Sequence, residues 1–356
     1  MRTYNILRLL TAMGYHVTFL PEDGVDTGPH AEAVQAIGVE VCGRRSGPTG
    51  YSWFLRNHES LHAIVVARYH LAWSWWPLVK EISPELPRVL DTVDLHYLRE
   101  SREAELSGNP WLMRTALATR AHEWRAVKSS STTWVVSDVE RALLQAGIPG
   151  ADIKVVPNLH SIQSGIGGPE EREGLIFVGG ARHPPNVDGL EWFLAEVYPV
   201  LHEMLRGCPI HLVGEGLPES LAHVPASRRI GVEIHGHVPD IGPLLSRAKV
   251  GIAPLRFGAG VKGKINQYMS YGIPTVATPM AIEGMHLSPG RDVLAAEAPE
   301  DFAAAVATVY RDIDLWRTIS AAGLDNVRAH FSDSVAIPAL HATFLRPMRN
   351  DAPACR

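Results

Sequence analysis

Two patterns of apolar positions alternate along most of the chain. Short apolar runs predict buried strands, and longer segments whose apolar residues recur at helical spacing predict amphipathic helices. In the first half the predicted strands are 16–20, 38–41, 61–66, 89–94, 134–137 and 153–156. Predicted helices lie between them, notably at 31–37, 97–106 and 111–128. Strands that alternate with helices predict an α/β fold with a parallel, doubly wound sheet.

The same alternation begins again after a segment that has no periodicity. Residues 159–173 are rich in Gly, Ser and Pro, which indicates a linker. Strands are then predicted at 175–178, 210–213, 232–235, 250–254, 275–278 and 293–295, with closing helices at 302–310 and 315–331. Because 356 residues are long for one core, we predict two Rossmann-like domains, 1–158 and 174–332, and a C-terminal tail, 333–356.

The beginning of the chain departs from the usual order of such a domain. Its apolar residues fall at helical spacing and predict a helix over about 2–13, ahead of the strand at 16–20. A doubly wound domain normally opens with a strand that lies inside its sheet. We therefore expect the first domain to lack its first strand, through truncation or because Met1 is not the natural start. Its sheet should show a gap or a rearranged strand, unless residues 1–10 form that strand themselves.

Composition narrows the class of protein further. The chain is 46% hydrophobic and 20% charged with a net charge of −5, which is typical of a globular protein. Neither half carries an excess of basic residues, so we expect no nucleic-acid partner. The three cysteines are far apart and odd in number, which favours a reducing, cytoplasmic location over a disulfide framework. No apolar run reaches the length of a membrane helix, and Arg8 interrupts any signal-peptide core.

The stretch 255–284 holds the strongest candidate chemistry. Gly258, Gly260 and Gly263 lack a Cβ, so the backbone there can approach a ligand closely. Lys262 and Lys264 bring positive charge to the same loop, and a helix follows whose N-terminus attracts anions. Glycines, lysines and a helix N-terminus together predict a diphosphate site. The alternative is a plain crossover between strands, with two solvated lysines.

A resemblance to a known family starts from this stretch. The pattern G-A-G-V-K-x-K-x-x-Q-x-M-x-x-G-x-P-x-V-A-T at 258–278 resembles the donor-binding core of GT-B glycosyltransferases. It is most similar to the retaining group called family 4 or group 1. The resemblance implies two Rossmann-like domains that face a cleft, and a nucleotide-sugar donor. Gln267 stands where that family has a glutamate that holds the ribose, and Ala259 stands where it has a second glutamate. This chain therefore departs from the two-glutamate pattern.

The resemblance also implies further donor-binding residues. Gly179 and Gly180, with Arg182 and His183, follow the first strand of the second domain, where the family contacts the diphosphate. The alternatives are a solvated Arg182 and a His183 that caps the next helix. The base-binding loop of the family corresponds to Gly236, His237 and Val238, and Glu283 would approach the sugar. A solvated loop is the alternative for Glu283.

On the acceptor side, Asp94, His96 and Arg99 follow a strand and offer acid–base and anion-binding chemistry. Similar enzymes carry a histidine or aspartate on this loop, so we assign Asp94 and His96 as catalytic. The alternative is a capping Asp94 and a surface His96. Trp73, Trp75 and Trp76 fit packing of one helix, which we favour, or peripheral contact with a membrane-bound acceptor.

These observations predict a glycosyltransferase of the hexosyl or a related type. It would move a sugar, with retention, from a nucleotide sugar to a carbohydrate or lipid-linked acceptor in polysaccharide or glycoconjugate synthesis. We expect no cofactor and no metal, because His235 and His237 alone make a weak ligand pair. The alternatives are a sugar-nucleotide epimerase on the same fold, and a truncated, non-catalytic remnant that binds nucleotide.

Overall fold

The computed structural model describes residues 2–45, 50–164 and 167–344. They form two α/β domains in which every paired strand is parallel to its neighbours. The strands of the first domain are β1 Thr18–Phe19, β2 Glu40–Val41, β3 Ile64–Ala67, β4 Arg88–Asp91, β5 Thr132–Val135 and β6 Ile153–Val155. Its helices are α1 Arg2–Ala12, α2 Pro29–Ala36, α3 Gly50–Asn57, α4 Tyr69–Ile82, α5 His96–Ser107, α6 Pro110–Ser129 and α7 Asp138–Gly147.

The sheet of the first domain is divided, as the sequence predicts. Strands β3, β4, β5 and β6 form one sheet in that order, whereas β1 and β2 pair only with each other. The residues before Thr11 form helix α1 and not a central strand. Leu9 and Leu10 of α1 are buried against the sheet in one cluster with Val89 and Trp134. Within the described residues, the prediction of a gap in this sheet is therefore confirmed.

The second domain is built on one sheet of six strands. In spatial order they are β12 Leu294–Ala295, β11 Thr275–Ala277, β10 Val250–Ala253, β7 Leu175–Val178, β8 Ile210–Val213 and β9 Val232–His235. The helices are α8 Pro184–Trp192, α9 Tyr198–Met204, α10 Leu217–Ser220, α11 Gly242–Arg247, α12 Gly263–Ser270, α13 Pro279–Ile282, α14 Pro299–Arg311 and α15 Ile313–His330. The central strands are buried on both faces, as parallel sheets between helices require.

The chain then returns to the first domain. Helix α16, Asp333–Phe344, lies within the predicted tail, and it buries Ala336, Leu340 and Phe344. These side chains share a core cluster with α1 and with Trp134 of β5. The first domain is thus completed by residues from the far end of the chain; the rest of the predicted tail, 345–356, lies outside the described residues.

The carboxyl ends of both large sheets face each other across a cleft. Direct contacts cross it: the Arg102 guanidinium of α5 donates to the Gly258 carbonyl at 2.7 Å, and the Asn158 side chain donates to the Val261 carbonyl at 3.4 Å. Ligands of open α/β sheets bind beyond the carboxyl ends of strands, so this cleft is where a site is expected. Among the described residues, no helix is both long enough and apolar enough to cross a membrane.

Candidate active site

The glycine loop between β10 and α12 lies against the first domain. Gly258 and Gly260 have φ angles of 152° and 65°, a region that side chains with a Cβ disfavour. A Cβ on Gly260 would lie 3.1 Å from the Asp94 Cβ and 3.3 Å from the Val136 Cγ2. At this position glycine is therefore needed for close approach to the other domain, in addition to its left-handed backbone.

Two lysines from this loop and the start of α12 are held in the cleft. The buried Lys262 ammonium donates to the Gly260 carbonyl at 2.7 Å and to the Ala259 carbonyl at 3.3 Å. Lys264 donates to Asn186 Oδ1 at 2.6 Å, and its Nζ lies 3.9 Å from the centre of the Phe177 ring. Neither amine has a carboxylate as a direct hydrogen-bond partner within the described residues, so both are available to an anion.

Burial disfavours the charge on both lysines. It lowers the pKa of Lys262 to about 8, although the carboxylate of Glu283 acts in the opposite direction. Burial, and then the charge of Lys262, hold the pKa of Lys264 well below its usual range. A bound diphosphate would reverse these shifts, because an adjacent negative charge favours the ammonium form.

Asn186, which the sequence analysis did not assign, connects this loop to the glycines after β7. Its Nδ2 donates to the Gly180 carbonyl at 2.8 Å while its Oδ1 accepts from Lys264. A Cβ on Gly179 would meet the Asn186 amide at 2.7 Å, so this glycine makes room for the asparagine. In the sequence, Pro185-Asn186 follows Val178-Gly179-Gly180 closely, but this pattern does not show that Asn186 contacts Lys264.

Arg182 and His183, which follow these glycines after Ala181, have different surroundings. The Arg182 side chain is 88% exposed and pairs with Glu215 at 3.1 Å, so the structure gives it no contact with the lysines. His183 is half-buried, and burial, together with the charges of Arg99 and Lys264, lowers its pKa to about 4. Its imidazole is therefore neutral at pH 7, in a place where groups of both domains act on it.

The remaining donor-side candidates vary in their contacts. Gln267 is half-buried on α12, and its side-chain amide makes no hydrogen bond within the described residues. His237 is exposed, whereas Val238 packs against a core cluster that includes Leu245. The structure thus leaves the amide of Gln267 free to bind a hydroxyl, and it leaves the His237 ring in solvent.

Glu283 takes part in a bridge between the domains that the sequence analysis missed. Arg102 of α5 binds the Glu283 carboxylate with two nitrogens, at 2.8 Å and 2.7 Å, and also donates to the Gly258 carbonyl. A bidentate arginine–carboxylate pair is among the stronger polar contacts. The only signal in the sequence was that Arg102 lies three residues after Arg99, on the same face of α5.

Among the residues predicted to contact the acceptor, Asp94 lies in a strained segment of the loop after β4. Val93 has a φ angle of 66°, which is costly for a β-branched residue and is typical of constrained functional loops. Asp94 pairs with Arg99 and, at 3.3 Å, with His96 Nε2. Burial raises the pKa of Asp94, but the hydrogen bond from His96 and the charge of Arg99 outweigh it, and the net pKa is lowered. Asp94 is therefore ionised at neutral pH.

Two buried glutamates fix the backbone of this loop. Glu123 of α6 accepts from the backbone N–H groups of His96 and Tyr97 at 2.9 Å and 3.0 Å, which caps the start of α5. Glu140 of α7 accepts from the N–H groups of Leu95 at 3.0 Å and Val136 at 3.2 Å. Burial raises the pKa of Glu123 to about 8 and that of Glu140 to about 7. Neither was predicted, although Ser137 and Glu140 have capping-box spacing.

The strand end beside this loop is held by the first helix. The guanidinium of Arg2 donates to both oxygens of Asp91, at distances from 2.6 Å to 3.1 Å, and to the Val156 carbonyl at 2.7 Å. Arg2 thereby links α1 to the carboxyl ends of two strands. The tryptophans of α4 are not a single cluster: Trp76 is buried, as packing predicts, but Trp73 is 47% exposed and its ring lies against that of His122 at a tilt of 33°.

The second domain matches a known family. Residues 172–312 match the model of the family described as "Glycosyl transferases group 1". The second domain therefore resembles this family, and the two facing parallel sheets of the chain fit the same GT-B fold. No curated protein matches the sequence significantly.

Solved structures show the same fold over nearly the whole chain. Sucrose-phosphate synthase from Thermosynechococcus elongatus matches with a TM-score of 0.70 and 15% identity, over 95% of this chain and 90% of that one. HepE from Anabaena, in complex with UDP, matches with a TM-score of 0.66 and 13% identity, over 95% of each chain. A glycosyltransferase from Rickettsia africae matches with a TM-score of 0.65 and 12% identity, over 96% of this chain and 93% of that one. Because the sequence identities are this low, these similarities show a shared fold and nothing further about this chain.

Proposed function

We propose that this protein transfers a sugar from a nucleotide-sugar donor to an acceptor hydroxyl, with retention, in the synthesis of a polysaccharide or glycoconjugate. The observation on which this rests is the arrangement of Lys262 and Lys264 at the N-terminus of α12, opposite the Asp94–His96 pair of the other domain. Cationic groups face an acid–base pair across the cleft. This is the arrangement that a reaction with a diphosphate leaving group requires.

The leaving group would be stabilised by charges that the fold holds in place. The first backbone N–H groups of α12 lack partners within the helix and carry its positive dipole end. Together with the two lysines they would surround the departing diphosphate, and fixed dipoles of this kind stabilise developing charge. These groups supply the positive charge from the protein itself, so the proposed transfer does not require a divalent cation.

The donor we propose is a uridine diphosphate hexose. HepE was solved with UDP and with UDP-glucose, and TarM from S. aureus was solved with UDP. Gln267, with its free amide on the same helix as Lys264, would bind the ribose as a neutral ligand. The neutral imidazole of His183 can then donate or accept one hydrogen bond near the phosphates without repelling or attracting them.

The acceptor hydroxyl would bind beside His96. The ionised Asp94 accepts from His96 Nε2, which fixes the orientation of that ring, and Tyr69 packs edge-on against it at 5.4 Å. The acceptor is then a carbohydrate or a lipid-linked carbohydrate, aligned with the donor by the closed cleft, which also excludes water. A cytoplasmic location and peripheral membrane contact, for which the exposed Trp73 is the candidate, belong to the same proposal.

Binding of nucleoside diphosphates to Lys264→Ala tests the donor site. We expect the wild-type chain to bind UDP in calorimetry, and the variant to bind it at least about tenfold more weakly, because charge-assisted contacts to phosphate are strong. Lys249→Ala is the matched control, since Lys249 precedes β10 at the opposite end of the same sheet, with its Nζ over the Tyr310 ring. Equal affinity in all three proteins would remove Lys264 from the site.

Product analysis then separates the classes of function. A glycosyltransferase releases UDP only as an acceptor is glycosylated, with the anomeric configuration of the donor kept in the product. Conversion of the nucleotide sugar into its epimer without an acceptor would overturn the proposal in favour of an epimerase. Nucleotide binding without turnover across a panel of donors and acceptors would instead indicate a non-catalytic protein.

A further inference from the structure

We propose that His211, Glu233 and His235 form a binding site for one divalent transition-metal ion, with Zn²⁺ as the best match to their chemistry. The site lies at one edge of the sheet of the second domain, on the edge strand β9 and its neighbour β8. It uses no residue of the proposed donor site. Its existence therefore does not depend on the proposed transfer reaction.

The register of the sheet brings the three side chains together. His211 on β8 is paired with Glu233 on β9, and His235 follows two residues later. Side chains two residues apart on a strand point to the same face. All three therefore project from one face of the sheet, opposite the face on which Ile210 and Leu212 enter the main core.

The ligand atoms already have the spacing of a metal site. His211 Nδ1 lies 3.2 Å from His235 Nε2, and the Glu233 Oε2 lies 3.4 Å and 3.6 Å from these two nitrogens. Tetrahedral Zn²⁺ with bonds of about 2.0–2.1 Å separates its ligands by about 3.3–3.4 Å. Octahedral ions with bonds of similar length bring adjacent ligands to about 2.9 Å. The observed triangle matches the tetrahedral case.

The chemistry of the donors also favours a transition metal. Imidazole nitrogens suit zinc, copper and nickel, whereas magnesium and calcium prefer oxygen ligands only. Two neutral imidazoles and one carboxylate give the ligand set of zinc sites that keep a fourth position for water. Here that position would open to solvent, because the Glu233 side chain is 62% exposed while the His211 and His235 side chains are 21% and 29% exposed. The nearby charge of Arg247 acts against a cation, and Glu233 offsets it.

A purely structural alternative explains the same contacts differently. One imidazole could donate its N–H to the other, with Glu233 as a surface acceptor. In that arrangement the lone pairs of the two nitrogens do not converge on one point. The two interpretations therefore differ in whether the protein binds a metal with these three residues.

Zinc titration of the full chain, free of any affinity tag and first treated with a chelator, tests the site. We expect one Zn²⁺ per chain in calorimetry, and Co²⁺ in its place should give the intense visible absorption of tetrahedral coordination. His235→Ala and the nearly isosteric Glu233→Gln should each weaken zinc binding by more than about tenfold, since even loss of an outer hydrogen bond costs about that much at metal sites. His223→Ala is the control, because His223 pairs with Glu191 at 3.1 Å on the surface of the same domain.

The metal should also stabilise the wild-type fold. Zinc should raise the melting temperature of the wild-type chain and of His223→Ala, and leave that of His235→Ala and Glu233→Gln unchanged. Because Glu233 is exposed, its variant should melt like the wild type when no metal is present. Wild-type binding no tighter than that of Glu233→Gln, or an octahedral Co²⁺ spectrum, would overturn the proposal.

Discussion

The charge on Lys262 should make donor binding depend on pH above neutrality. Burial lowers the pKa of this residue from 10.5 to about 8. At about 1.4 kcal/mol per pH unit, this shift means that the surroundings of Lys262, burial above all, penalise its charged form by about 3 kcal/mol in total. The residue is 6% exposed, so solvent screens little of that penalty. A diphosphate next to the ammonium restores the charged form, and binding then takes up a proton wherever the free protein has lost it.

The sign and the size of the effect follow from these two pKa values. Below about pH 8, Lys262 is charged both with and without ligand, and its titration does not affect affinity. Above that, affinity should fall by about tenfold per pH unit. If bound phosphate restored the ordinary pKa of 10.5, the total loss would be about 300-fold. The folding stability of the ligand-free protein depends on pH in the opposite direction. As pH rises above about 8, Lys262 loses its proton in the folded state, the cost of burying its charge disappears, and the fold becomes more stable.

Calorimetry with UDP between pH 7 and pH 10, at constant ionic strength, measures this dependence. Measurements in pairs of buffers with different ionisation enthalpies count the protons that are taken up on binding. The phosphates of UDP do not contribute to this count, because their second pKa is about 6 and they are ionised in this range. Lys262→Met should bind UDP more weakly at pH 7 and show a shallower slope above pH 8, because the contribution of Lys262 to that slope is removed, whereas Lys249→Met should keep the wild-type affinity and slope. Lys264 also contributes to proton uptake, because burial lowers its pKa as well. A flat wild-type profile, or an unchanged slope in Lys262→Met, would refute the reasoning.

Substitutions at three further positions test other parts of the site. Gln267→Glu should keep donor affinity while Gln267→Leu loses about fivefold, since one ribose hydrogen bond is worth about 1 kcal/mol. Normal binding by the leucine variant would exclude this helix from ribose recognition. His96→Ala should lower turnover by about a hundredfold or more with little change in the dissociation constant of UDP, and an equal loss in both would contradict an acceptor role. Arg102→Ala leaves Glu283 unpaired and should lower the melting temperature by the equivalent of about 1–3 kcal/mol, while Arg114→Ala, on the exposed face of α6, should not.

Much of the fold could be predicted because its signals are local. Apolar runs of four residues and helical spacing identified most strands of both sheets, and their alternation indicated parallel sheets. The divided first sheet was also predictable, since the spacing of apolar residues before Thr11 is helical. Helix α16 was missed because its apolar residues gave no clear amphipathic pattern and Pro338 lies inside it. Its place is decided by contact with α1 and β5, which no local pattern reveals.

The site was only partly predictable, for the same reason. The donor loop and α12 form one continuous stretch, so their glycines and lysines could be recognised together. Arg102 and Glu283 are 181 positions apart in sequence, and nothing local pairs them. Glu123 and Glu140 were missed because a buried carboxylate that caps a distant backbone segment looks, in sequence, like any charge on a helix. His211 was missed for a related reason, since the register between β8 and β9 sets its distance from Glu233.

The loops that would hold the donor are also the surfaces on which the two domains meet. A Cβ on Gly260 would lie 3.1 Å from that of Asp94, and a Cβ on Gly284 would lie 2.9 Å from that of Ser137. Both glycines have φ angles in the left-handed region, 65° and 71°. Asp94 in turn binds His96 of the acceptor side. A movement of the glycine loop toward the first domain should therefore displace Asp94 as well, because the Asp94 side chain leaves no room even for a Cβ on Gly260. We therefore expect donor binding to be coupled to the position of the Asp94–His96 pair through this contact.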